Sequence, residues 1–205
     1  MQNHLRFWQR VQYWTILQNR QVKGQTMDLR EKKTRQSIRN AFLQLRARKP
    51  LERITVKELA ELAQISKATF YLHYHDVYDL SEQMQNEVIR SLLDSLEQPD
   101  SFLTDRKRFT RDLFSAFIAH ENLTNILFSG SQAAVLPIRI ERGIKEHIFS
   151  LMPETREDAR FNILLTYQVQ GAYYAYMENQ QKFGAEEVLA ALDEITDRIT
   201  AKTGG

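Results

Sequence analysis

Two helix-capping signals, at Thr55 and at Ser66, constrain this chain more than any other feature of its sequence. Thr55-Val-Lys-Glu58 is a Ser/Thr-x-x-Glu box, in which each side chain satisfies the other residue's free backbone N–H. It predicts a helix starting at Val56, with Val56, Leu59, Ala60 and Ala63 on a 3.6-residue repeat, that can run only to about Ala63. Gln64-Ile65-Ser66 breaks it, and Ser66 is placed to cap a second short helix from Lys67 to about Tyr74. Two short helices separated by about three residues, with the small Ala60 where they must cross closely, make a helix-turn-helix.

The flanking sequence is helical throughout. From Leu29 to Lys49, Ile38, Phe42 and Leu45 share one face, Lys32, Lys33, Arg35 and Arg39 crowd the first half, and Pro50 ends the pattern. Asp76 can cap a longer helix whose stripe Leu80, Met84, Val88, Leu92 and Leu96 keeps i, i+4 spacing up to Pro99. Further on, Phe109, Leu113, Phe117 and His120 share a face, as do Phe161, Leu164, Leu165, Gln168, Ala172 and Ala175, and then Val188, Leu192, Ile195 and Ile199. Breaks fall near Gly130-Ser131, Met152-Pro153 and Phe183-Gly184. Seven glycines and four prolines in 205 residues are too few for the repeated turns of a sandwich or barrel, and no period-2 run is long enough for a strand. The expected fold is all-α: a three-helix helix-turn-helix domain over 27–75, a connecting helix over 76–99, and a helical-bundle domain over 100–205.

Charge divides the chain. Residues 1–75 carry 15 Lys+Arg against 5 Asp+Glu, a net of +10, whereas 76–205 carry 13 against 21, a net of −8. A basic front joined to an acidic back suggests that the front meets a polyanion. Residues 1–26, basic and holding Trp8 and Trp14, are either a floppy arm or start-site artefact ahead of Met27, or an arm for DNA backbone or a membrane surface. The chain has no cysteine, which excludes disulfides, thiolate zinc clusters and a cysteine nucleophile. Its longest apolar run, Ala133 to Ile138, is far short of a membrane span, so no membrane insertion is expected. Gly-rich phosphate loops, HExxH and GxSxG are missing, which argues against an enzyme. His73 and His75 do not form a metal pair, because side chains at i and i+2 of a helix point apart and no third ligand lies at useful spacing.

A helix-turn-helix suits the DNA major groove, about 12 Å wide, which admits one helix if another braces it against the backbone. The helix from Val56 is the brace and the helix from Lys67 the reader. Ile65 and Phe70 point inward, leaving Lys67, Ala68, Thr69, Tyr71 and His73 for phosphates and base edges. Thr55 sits at a positively polarised helix N-terminus where a phosphate can bind.

The stretch ITVKELAELAQISKATFYLHYHDVYDL, from Ile54 to Leu80, resembles the DNA-binding domain of the TetR family of bacterial transcriptional regulators. The resemblance covers some fifty residues including the first helix. It implies a cytoplasmic, nucleoid-associated homodimer that places one motif of each subunit in successive major grooves of a palindromic double-stranded DNA operator. It also implies a repressor released by a small-molecule effector bound in the C-terminal bundle, and no cofactor. Carried over by position, Thr55, Lys67, Tyr71 and His73 touch phosphates, Ala68 and Thr69 read bases, and Tyr74 joins the interface. Three positions depart from the family pattern. Gln64 stands where the turn usually has glycine, at a cost of about 1 kcal/mol if the residue is left-handed there. Tyr74 replaces phenylalanine, and Val77 replaces a common lysine whose phosphate contact His75 could take.

For the effector, aromatic and polar residues of the bundle are candidates: Phe114, Phe117, Phe128, Gln132, His147, Tyr167 and Gln168. Gly171, Ala172 and Ala175, with Val188, Leu192, Ile195 and Ile199, are candidates for a four-helix dimer interface, the alternative being the subunit's own core. The competing reading is a basic helical scaffold or membrane-surface protein that uses residues 1–26 and reads no DNA sequence.

Overall fold

The computed structural model describes residues 29–96 and 101–201, so the expectations for residues 1–26 lie outside it. Every regular element in the described residues is a helix: α1 (Leu29–Arg46), α2 (Val56–Leu62), α3 (Lys67–Tyr71), α4 (Val77–Asp94), α5 (Ser101–Thr104), α6 (Arg106–Ala119), α7 (Glu121–Leu127), α8 (Val135–Leu151), α9 (Ala159–Phe183) and α10 (Ala185–Ala201). Single 3₁₀ turns cover Leu51–Arg53, Gly130–Gln132 and Pro153–Glu157. The fold is all-α. None of these helices is long and apolar enough to cross a membrane.

The i, i+4 stripe is buried along its whole length, at Leu80, Met84, Val88 and Leu92 of α4 and at Leu96 just past its end, and Asp76 caps the helix by accepting the Asp79 N–H at 2.8 Å. One connected apolar cluster runs from Ile38 and Phe42 of α1, through Leu59, Phe70 and the α4 stripe, to Leu165 of α9 and Leu192 of α10. At Gly143 of α8 a Cβ would collide with Leu93 Cδ1, so the absent side chain is what lets α8 approach α4 closely. Across α8 and α9, buried Glu141 accepts from Lys145 at 2.6 Å, from the Thr166 hydroxyl and from the Gln170 amide. Burial alone would raise its pKa, but these donors outweigh it and hold the carboxyl below the usual range.

Three polar links tie the last residue of α7 and the short segment after it to the first half of the chain. Arg46, 4% exposed at the end of α1, donates to Ser129 Oγ at 2.8 Å and to the carbonyls of Lys49 and Ser129. The Ser131 hydroxyl donates to Glu52. Gln85, buried in α4, donates to the Leu127 carbonyl at 3.0 Å.

Three helix ends differ from the sequence pattern. The first helix stops at Arg46 rather than Lys49, because the Arg48 N–H turns to the Leu45 carbonyl and Pro50 is extended. The reader stops at Tyr71 rather than Tyr74, where the His73 N–H reaches only three residues back, to Phe70. The pattern through His120 is broken there: His120 joins α6 to α7, and its Nδ1 lies 2.9 Å from the Ala116 carbonyl.

The turn from α2 to α3 is a Schellman motif. The Ile65 N–H bonds back to the Ala60 carbonyl at 2.9 Å and the Gln64 N–H to Glu61 at 3.2 Å, which places Gln64 in the left-handed region at φ +56°. Gln64 is exposed and has the one positive φ of a non-glycine residue among those described. Gln64→Gly should therefore raise unfolding stability by about 1 kcal/mol, and Gln64→Val should lower it, in urea melts of the full chain.

Candidate nucleic-acid interface

The capping box at α2 forms in full. The Glu58 N–H donates to Thr55 Oγ1 at 3.3 Å, while the Thr55 N–H and hydroxyl donate to Glu58 Oε2 at 3.1 and 2.9 Å. Lys49 also donates to Glu58, and these bonds, that of Lys49 first, hold the carboxyl below its ordinary range. At α3, Ser66 Oγ accepts the Thr69 N–H at 3.0 Å and lies 2.9 Å from the Thr69 hydroxyl. Both helices therefore start at a fixed residue.

Rotation of α3 about its axis is set by Phe70, which is fully buried. The ring meets Tyr71 edge-on at 5.6 Å and Tyr74 at 5.7 Å. The opposite side is left in solvent: Lys67 and Ala68 are exposed, Tyr71 is 57% exposed and Leu72 is 81% exposed. Thr69 and His73 are half-buried at the edges, and Thr55 is exposed at the start of α2.

Tyr74 corrects an expectation. It lies four residues after Phe70, hence on the inward face, and is only 4% exposed. The Arg35 guanidinium of α1 lies over its ring, 5.7 Å from the centroid, and burial pushes the phenol pKa up. Tyr74 is thus a packing residue that ties the end of the reader to α1. Beside it, Arg39 makes a two-pronged pair with Glu87 of α4, one arm at 2.8 Å.

The basic half of α1 borders the turn. An open groove is lined by Leu29, Arg30, Lys33, Thr34 and Ser37 on one side and by Ala63, Gln64 and Ile65 on the other. Lys32 is exposed next to it. This arrangement can hold a polyanion against α1 while α3 projects its outer face.

In the bundle, the structure brings together only three of the candidate effector residues. Phe114, Phe117 and Gln168 line a cavity between α6, α8 and α9, closed on other sides by Phe109, Leu113, Ile140 and Tyr173. Its volume is about 20 Å³, room for roughly one water-sized molecule and not for a drug-sized ligand. Gln168 spends its amide on Thr110 Oγ1 at 3.2 Å. Phe128 is buried outside that wall, half-buried His147 lies on α8 away from it, and Gln132 is 3.4 Å from the Gln85 amide. Tyr167 is 62% exposed, because it is one residue, about 100° of helix, away from Gln168.

Candidate interface residues on α9 and α10 also divide. Val188 and Leu192 are buried in the subunit's own core, Ala172 lines the cavity, and Ala175 packs against the core. Gly171 is exposed, Ile195 is 48% exposed and Ile199 is half-buried. A stripe missed from the sequence, Ile163, Tyr167, Gly171 and Tyr174, runs along the outer face of α9 at helical spacing. Leu72 was missed too, although it lies four residues after Ala68 and so on the same outward face. Among the described residues no three His, Asp or Glu side chains converge as a metal site requires.

No known family profile matches this chain. Over 89 residues it is 30% identical to a protein of Bacillus subtilis (strain 168) described as an uncharacterized HTH-type transcriptional regulator, YxbF. The match takes in 42% of this chain and 23% of that protein, so the chain spans less than a quarter of its relative's length. The similarity is to a transcriptional regulator of the helix-turn-helix type.

His73 yields a test of the local electrostatics. Burial, and then the charge of Arg35, hold its imidazole below the ordinary pKa of 6.5. A depressed pKa means that neutral His73 contributes stability above the unfolded value, which is lost as pH falls through the folded one. In histidine-selective NMR titrations, Arg35→Ala should move this resonance's midpoint upward, since it removes the nearby positive charge. An unchanged midpoint would mean that Arg35 does not act on the ring.

Proposed function

We propose that this chain is a sequence-specific double-stranded DNA-binding transcriptional regulator of the TetR type. The observation that carries the reading is the setting of α3: a helix capped at Ser66, locked by Phe70, with its outer face in solvent, entered from a turn that borders the basic half of α1. Helix α2 braces α3 across the groove edge, Thr55, Lys67, Tyr71 and His73 take phosphates, and Ala68 and Thr69 meet base edges. The printed description of the Bacillus subtilis relative supports the same reading.

The regulator acts as a homodimer, with half-sites about 34 to 36 Å apart on a palindromic operator. The outer stripe of α9, together with Ile195 of α10, supports a two-fold interface between copies, in which large apolar side chains left in solvent by one subunit cover those of the other. A small apolar effector would enter by widening the cavity around Phe114, Phe117 and Gln168. An effector that prefers the arrangement unable to span both half-sites lowers operator affinity by the factor of that preference, which makes the protein a repressor released by its ligand.

Lys67→Ala should weaken binding to selected and random duplexes alike and lower the salt slope of log K by about one unit. Fluorescence anisotropy at several salt concentrations measures this, and an unaltered slope would take Lys67 out of the interface. Ile195→Lys should shift the sedimentation coefficient toward the monomer and lower affinity for a full palindrome more than for an isolated half-site. A variant that sediments as wild type would move the interface elsewhere.

A further inference from the structure

We infer that the reader helix selects thymine, contacting 5-methyl groups in the major groove through the apolar face formed by Ala68, Leu72 and the ring of Tyr71, whose hydroxyl still reaches a phosphate. The inference rests on the DNA-binding reading above and names the base chemistry that the same surface recognises. These three residues stand at i, i+3 and i+4, so they form one patch on the side of α3 opposite Phe70. Leu72 is the most exposed large apolar residue among those described. It cannot be turned inward without turning Phe70 out, and that ring is fixed by its packing on Tyr74 and by complete burial.

The polar inventory of the same helix points the same way. Between Ser66 and His73 there is no Arg, Asn, Gln, Asp or Glu, so of the side chains that pair with guanine or adenine or accept from cytosine only Lys67 is present, and it is assigned above to a phosphate. The hydroxyls of Ser66 and Thr69 are engaged with each other at 2.9 Å, and Ser66 is further occupied by the Thr69 N–H. Lys67 is the helix's cation, at its first turn, and the Tyr71 hydroxyl is a single donor. What remains on the probing face is a methyl, an isobutyl group and an aromatic ring. Of the four bases only thymine offers a methyl in the major groove, and the small Ala68 lets the helix axis come close to the base edges. The basic residues of α1 along the groove beside the turn into α3 favour a nucleic acid over an apolar protein partner for this patch.

The test uses the full chain and duplexes selected by it from a random pool. Each thymine of a selected half-site is replaced in turn by deoxyuridine, which deletes the methyl and leaves every hydrogen-bonding group in place. One or more positions per half-site should lose affinity about fourfold, the worth of one buried methyl group. Leu72→Ala should flatten this profile at one or more of those positions. If duplexes are bound but no deoxyuridine substitution matters, or if Leu72→Ala keeps the wild-type profile, the thymine inference is overturned while DNA binding stands. If the wild-type chain selects no duplex at all, both fall together.

Discussion

The burial of Phe70 is the interaction on which the proposed reading surface depends. A helix of five residues makes few hydrogen bonds of its own, and isolated helices of this length are unstable in water. What holds α3 is one aromatic ring sunk completely into the shared core, with Tyr74 beside it and Ser66 closing the N-terminus. Once that ring is placed, the helical repeat turns Ala68, Tyr71 and Leu72 to solvent, and the chain just past the helix brings Tyr74 in against Phe70. Fully burying a phenylalanine is worth roughly 1.5 to 3 kcal/mol, a substantial part of what any domain of this size has to spare.

The second constraint lies between the reader unit and the bundle. Arg46 carries a positive charge into a site where its partners are carbonyl and hydroxyl oxygens, with Ser129 as the nearest at 2.8 Å. Such a group is expensive to bury and more expensive to strand, so separating the end of α1 from the turn after α7 is strongly opposed. Glu52 with Ser131 and Gln85 with Leu127 brace the same turn from two other directions. The segment therefore links α1, the 3₁₀ turn at Leu51–Arg53 and α4 through three separate polar contacts.

Much of this architecture was legible in the sequence wherever one local rule decided it. Capping chemistry fixed the starts of α2, α3 and α4 at Thr55, Ser66 and Asp76, and the i, i+4 stripe fixed the buried face of α4. The strained turn was legible only through the family resemblance, which puts a glycine where this chain has Gln64, and the structure makes that residue left-handed. Legibility failed where a helix has two competing faces. On α9 the side toward the cavity and the side toward solvent are both aromatic, so composition could not tell Tyr167 from Gln168, and only packing separates them. On α10 a single stripe proved to be split, with Val188 and Leu192 turned to the core and Ile195 outward. Tyr74 was misassigned by following a positional pattern instead of the helical repeat from Phe70.

The corner between α9 and α10 is made by Gly184 alone, at φ +89°, a conformation that side-chain-bearing residues seldom adopt. So short a joint has no slack. One residue inserted early in α10 would turn the rest of that helix by about 100°, moving Val188 out of its buried place and swinging Glu187 into it. The length of this joint is therefore held as firmly as its backbone angle: gain or loss of a residue disrupts the helix beyond it, and a side chain at position 184 strains the corner itself.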